Sequence, residues 1–140
     1  MSLVSVRPYF RARLDSLNYV EWTDGFNIEN IPQTILNNSY HLAIETIDSG
    51  PANQLHHEFT FPVTLRVFLR GYRDPAAAID DAISQAETIL AEVLSPSNRL
   101  GTEIKDVTPE SIDVRALADS NDNDIVLEMV FNTVIDCNFT

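Results

Sequence analysis

The side chains with the widest chemical reach in this 140-residue chain fall into short, separate groups. The run DSNDND at 119–124 puts Asp119, Asn121 and Asn123 at the first, third and fifth ligand positions of a calcium loop. The sixth position of such a loop needs glycine for its sharp turn, and here it is Asp124; the twelfth needs a bidentate glutamate, and here it is Val130. The run suits an Asx-rich hairpin turn instead. His56 and His57 are adjacent, and adjacent residues of an extended chain point to opposite faces, so the two do not converge on one ion. His41 is the remaining histidine. Cys137 occupies an apolar position near the C-terminus, the setting of a buried thiol rather than of a nucleophile. As the one cysteine, it forms neither an internal disulfide nor a cysteine-based zinc site. The chain has no G-x-S-x-G elbow and no glycine-spaced phosphate loop. Asp80 and Asp81 diverge by about 100° on a helix, so they favour its positive end without facing each other as an acid–base pair. These groups point away from catalysis, and neither a metal nor a cofactor is expected.

The length suits one domain over 1–140, with enough chain for one real core. An apolar fraction of 44% and a charged fraction of 21% are ordinary for a globular chain and too apolar for a disordered one. The net charge of −12 disfavours binding nucleic acid through a basic face. No apolar run reaches the length of a membrane span, and MSLVSVRPYF lacks the basic-then-apolar pattern of an export signal. The charge is uneven. Residues 1–20 carry a net +2 from Arg7, Arg11 and Arg13 against Asp15, whereas 21–60 carry −6 with no Lys or Arg at all. Residues 101–140 carry −7. Two readings follow: an acidic solvated surface, or self-assembly in which the arginines of one copy meet the acids of the next.

Residues 5–17 read as a helix, with Ser5 as N-cap and Pro8 in the first turn, where its missing N–H does no harm. Val6, Phe10, Leu14 and Leu17 make its apolar face, and the three arginines lie largely off it. The stretch 18–38 is polar and punctuated. Residues 39–48 alternate as a half-buried strand. The cleanest signal follows: Phe59, Phe61, Val63, Leu65, Val67 and Leu69 take every second position, which predicts a long strand with one dry face. Pro62 inside it predicts a sheet edge or a bulge at that point. Asp74-Pro75 opens a second helix whose predicted buried stripe is Ile79, Ile83, Ala86, Leu90 and Val93, with Ala82 and Ile89 alongside, ending before Pro96. Residues 95–110 read as a loop with a short strand near Ile104, and 111–118 as a strand. Residues 125–137 read as a strand longer than the usual 5–6 residues, which predicts a bend or an end that leaves the domain to pair elsewhere. The order α-β-β-α-β-β predicts an α+β fold, two helices packed on a mainly antiparallel or mixed sheet.

This layout resembles the tail terminator (tail completion) proteins of long-tailed bacteriophages, akin to lambda minor tail protein U. A helix (VRPYFRARLDSL) leads to a strand (YHLAIETID), a long strand (FTFPVTLRVFLRGY), a crossover helix (DPAAAIDDAISQAETILAEVL) and two closing strands (SIDVRALA, IVLEMVFNTVIDC). The resemblance covers nearly the whole chain and rests on element order and size rather than on an invariant motif. It implies a structural virion protein at the head-proximal end of the tail, assembled in the host cytoplasm. There a ring of copies, six in the family pattern, caps the tail tube protein, stops its polymerisation and offers a docking face to the head completion or connector protein. It implies no catalysis, no cofactor, no membrane, and DNA passing through the lumen without specific binding. Under it, Arg7, Arg11 and Arg13 are expected to pair with acids of a neighbouring subunit. The loop at 49–56, with Pro51, Asn53, Gln54 and His56, and Arg73 are expected to reach the neighbour or the tube. The alternatives are another neck component (stopper or adaptor), the tube protein itself, or a small acidic enzyme.

Overall fold

A computed structural model of the protein describes residues 6–22, 38–44, 48–49, 56–69, 75–102, 104–116 and 125–138. The elements are α1 (Val6–Ser16), β1 (Val20–Glu21), β2 (Ser39–Ile44), β3 (Asp48–Ser49), β4 (His56–Leu69), α2 (Pro75–Leu94), α3 (Pro96–Arg99), β5 (Ile104–Ala116) and β6 (Ile125–Asn138). They make an α+β fold. The sheet runs β1-β2-β4-β6-β5, with β3 on the flank of β4. It is mixed, because β1 pairs β2 in parallel and the other pairs are antiparallel.

The dry face predicted for β4 is observed. Phe61, Val63, Leu65, Val67 and Leu69 are buried, and the register sets them beside Thr133, Phe131, Met129, Leu127 and Ile125 of β6, which are also buried. Alternation therefore gives both central strands one covered face. Phe10 of α1 lies on this face, its ring 5.5 Å from that of Phe131. On the opposite face the pattern relaxes, since Ser39, Phe68 and Val126 form one buried cross-strand row there.

Three expectations about strands are corrected. The 14-residue β6 pairs over its whole length with the equally long β4, so its length is met inside the sheet; β5 accompanies it only as far as Ile135, and the described pairs of its last residues, through Asn138, are with β4 alone. Pro62 does not bulge β4, because the ladder with β6 passes through Pro62↔Asn132 without a shift. Finally, β5 spans 13 residues from Ile104, not a short strand from 111. Pro109 and two register shifts, at Ile104/Asp106 and Pro109/Ser111, break its two-residue period, which is why 104–110 reads as a loop.

Local chemistry sets the helix ends. α1 stops at Asn18, whose φ of 67° is the left-handed conformation asparagine tolerates. The Asn18 N–H donates to the Asp15 carbonyl at 3.0 Å and the Tyr19 N–H to that of Leu14 at 3.1 Å, a Schellman closure that turns the chain into β1. At the other end of the layer, the Asn98 side-chain amide donates to the Glu92 carbonyl at 2.8 Å, near the end of α2, and α3 begins with Pro96. The expected caps Ser5 and Asp74, the polar stretch 23–37 and the turn 119–124 lie outside the described residues.

Candidate assembly surface

The three arginines of α1 are engaged inside the chain. Arg11 donates from Nε and from a terminal nitrogen (3.0 Å) to the two carboxylate oxygens of Glu21, a bidentate pair. Arg7 donates to the Leu42 carbonyl at 3.3 Å and stands 4.0 Å from the same Glu21. Arg13 pairs with Glu92 of α2 at 3.5 Å and lies over the Tyr9 ring. Hydrogen bonding from Arg11 holds the Glu21 carboxyl below its ordinary pKa; burial opposes this, and the charges of Arg11 and Arg7 reinforce it. The α1–α2 seam is further closed by the Tyr9 hydroxyl donating to the Val93 carbonyl and by the Tyr19 hydroxyl donating to Gln85, each at 2.6 Å. Burial, helped by Asp81, pushes the Tyr19 phenol up to about 12. Each of the three guanidinium groups thus has an acid of its own chain within 4.0 Å, and the buried Nε of Arg13 has no hydrogen-bond partner among the described residues.

Of the other expected contact residues, Pro51, Asn53, Gln54 and Arg73 lie outside the described residues. His56 opens β4 opposite Asn138, with its side chain outside the description. His41 sits half-buried on the face of the sheet away from the helices, in the same row as Arg66 and Glu128. Burial, then the charges of Arg66 and Arg7, lower its pKa, with Glu21 opposing, which favours the neutral imidazole. In that row Arg66 and Arg115 both donate to Glu128, at 2.8 and 2.7 Å, and Arg115 also faces Asp113 at 3.4 Å. This network ties β4, β6 and β5 together on the surface. A groove of about 360 Å³ opens between α1 and the segment after α3, and its polar side chains are engaged internally: Arg13 with Glu92, Asn98 with the Glu92 carbonyl, Thr102 with the Arg99 carbonyl.

The feature that stands out is the turn of α2 about its own axis. The predicted stripe is corrected: Ala78, Ala82, Ala86, Ile89 and Val93 are buried, whereas Ile79 and Ile83 are 45% and 47% exposed. At about 100° per residue, Glu92, which bonds to Ser16 of α1, and Gln85, which accepts from Tyr19 just beyond that helix, lie on one flank of α2, and Ile79, Ile83 and Leu90 lie on the other. That second flank faces the β5 edge, because α2 packs over β5 and β6. Ile112 of β5, which shares the covered face with Met129, is itself 46% exposed. Three half-exposed isoleucines, Ile79 and Ile83 of α2 and Ile112 of the strand it packs over, thus belong to the β5 side of the molecule. The sequence carried a signal for them. Two adjoining stripes, Ala78-Ala82-Ala86-Ile89-Val93 and Ile79-Ile83-Leu90, make α2 apolar over a wider arc than one sheet can cover.

β5 closes that side as an edge strand, and it carries the features that discourage strand-to-strand extension. Pro109 lacks a donor, two bulges interrupt the ladder, and Lys105, Asp106, Glu110, Asp113 and Arg115 are exposed along it.

No family model matches the chain, and no curated protein does. Among solved structures, the core region of PilO from the type IV pilus system of Pseudomonas aeruginosa is similar at 18% identity, over 66% of this chain and 76% of that one, with a TM-score of 0.30.

Proposed function

We propose that this protein is a structural subunit that acts by self-assembly into a closed ring, in the manner of the phage tail terminator proteins its layout resembles. In this reading it caps a tail tube, ends the tube's growth and presents a face to the head, with no reaction catalysed and no cofactor held. The observation that carries the self-assembly part is the half-exposure of Ile79, Ile83 and Ile112, on α2 and on the protected edge strand it packs over. Exposed apolar side chains gathered on one side of a molecule suit an interaction site. Covering three half-exposed isoleucines contributes on the order of 3 kcal/mol per contact, and a ring makes that contact once per subunit. The tail-terminator part rests on the element order of the chain.

Native mass spectrometry and negative-stain imaging of the purified protein test the reading. Closed rings support it. Open cylinders that lengthen with concentration identify a tube-type protein instead, and a monomer at high micromolar concentration overturns assembly altogether. Each copy carries −12, so mutual repulsion opposes ring closure. Raising salt from low to moderate levels screens that repulsion, and the ring is expected to tighten. A ring that loosens over the same range contradicts an apolar contact between acidic bodies.

A further inference from the structure

We propose that the β1–β2 edge of the sheet is acid-labile: a proton on His41 sets two cations opposite each other on β2 and β4 and weakens the hold of that edge on the sheet. The switch lies within each copy, so it stands or falls separately from self-assembly. Register builds it. His41 of β2 pairs Arg66 of β4, Arg66 pairs Glu128 of β6, and Glu128 pairs Asp113 of β5, so the four form one row on the face of the sheet away from the helices. β1 continues the row. The Val20 N–H donates to the Asn38 carbonyl at 2.9 Å and the Trp22 N–H to the Tyr40 carbonyl at 2.7 Å, the parallel-ladder pattern that sets Trp22 beside His41. Trp22 is the one tryptophan of the chain.

With His41 neutral, the charges along the row balance. Arg66 and Arg115 both donate to Glu128, and Arg115 also faces Asp113. One carboxylate thus serves two guanidinium groups, and the second acid is engaged by Arg115. A protonated His41 adds a positive charge directly opposite Arg66, and like charges so placed destabilise a strand pair. Arg7 of α1 adds another cation nearby, since it donates to the carbonyl of Leu42, one residue along β2. The opposing acid is Glu21 of β1, which Arg7 and Arg11 already hold. Burial, then Arg66 and Arg7, accordingly lower the His41 pKa below its ordinary 6.5, against the pull of Glu21. The folded chain binds this proton less readily than the unfolded chain. Stability therefore falls as pH drops through 6.5, and the loss is complete once folded His41 is itself protonated. The loss falls on the lightly held side of the sheet. β2 has six residues against fourteen in β4 and in β6, and β1 beyond it has two.

Trp22 reports on this edge directly. The test follows its fluorescence on the full chain between about pH 8 and pH 5, with denaturant midpoints measured over the same range. Glu21, held below 4.5, titrates outside that window. The parent protein is expected to show a change in Trp22 emission with its midpoint below 6.5, together with a fall in the denaturation midpoint. His41→Gln is expected to lose both changes, although His56 and His57 remain in it. Arg66→Gln keeps His41 and leaves Glu128 to Arg115, and it is expected to move the emission midpoint up toward 6.5. A parent protein whose emission and stability stay flat over this range overturns the proposal. So does a transition that survives His41→Gln, or a midpoint that Arg66→Gln leaves unmoved. A His41→Gln chain that is weakened equally at every pH gives His41 a packing role only, and the proposal fails.

Discussion

α1 and α2 lie side by side on one face of the same sheet, yet they bury opposite kinds of side chain. α1 buries large ones (Val6, Tyr9, Phe10 and Leu14) and leaves arginines outside. The first half of α2 buries Ala78, Ala82 and Ala86 and leaves Ile79 and Ile83 outside, and only its second half buries larger residues, Ile89 and Val93. The first helix is anchored by side chains that reach across to the sheet, as Phe10 reaches Phe131. The second is brought close by the smallness of its inner face, which lets its backbone approach β5 and β6 and lifts Ile79 and Ile83 outward. The alanine-faced half of that helix has apolar surface to spare. That difference separates a stretch that serves the fold from one that serves a partner.

The contrast predicts a graded set of outcomes. Phe10→Ala removes a fully buried ring from the anchored helix and should cost about 3–5 kcal/mol of unfolding free energy in denaturant titrations. A loss below ~1 kcal/mol would deny α1 its anchoring role. Ala82→Leu tests the opposite mode. A larger side chain under α2 has nowhere to go, and overpacking should cost about 1–3 kcal/mol, against the usual expectation that Leu suits a helix core. Combining Ile79→Gln with Ile83→Gln should change the stability of dilute monomer by less than ~1 kcal/mol per site while abolishing assembly at native mass. A large stability loss with assembly intact would return these isoleucines to the core.

The smallest effect concerns the Arg11–Glu21 pair. Hydrogen bonding from Arg11 lowers the Glu21 pKa in the folded chain, so Glu21 contributes stability above its ordinary value of 4.5 and loses that contribution as pH falls through its depressed folded value. Arg11→Ala should flatten the pH dependence of the denaturation midpoint on the acid side of pH 4.5 and leave it unchanged near neutrality. An unaltered acid slope would show that the pair adds nothing in solution.

How much of this could be read before any coordinates depends on whether a pattern was unbroken. β4 was legible residue by residue, because Phe59 to Leu69 alternate over a stretch long enough to define one face. α1 was legible from Val6, Phe10 and Leu14, since its apolar residues fall in a single stripe. β5 was half hidden: Pro109 and the bulges shift its phase twice, and a pattern reader loses count where the ladder does. The exposed isoleucines of α2 were visible as composition but not as orientation. Ile79 and Ala78 are neighbours about 100° apart, and hydrophobicity alone favours burying the isoleucine.

Periodicity along the chain therefore settled the types of element, the dry face of the long strand and the acidic character of the whole, because these depend on neighbours in sequence. The partners of Arg7, Arg11 and Arg13, the central place of β6 and the rotation of α2 were decided in three dimensions. Glu21, Glu92 and the β4 ladder come from distant parts of the chain. The gap over the sheet admits alanines where isoleucines would overfill it. A stripe of side chains states what a helix has to offer; the volume waiting above the sheet decides which part of it is accepted, and the remainder faces outward.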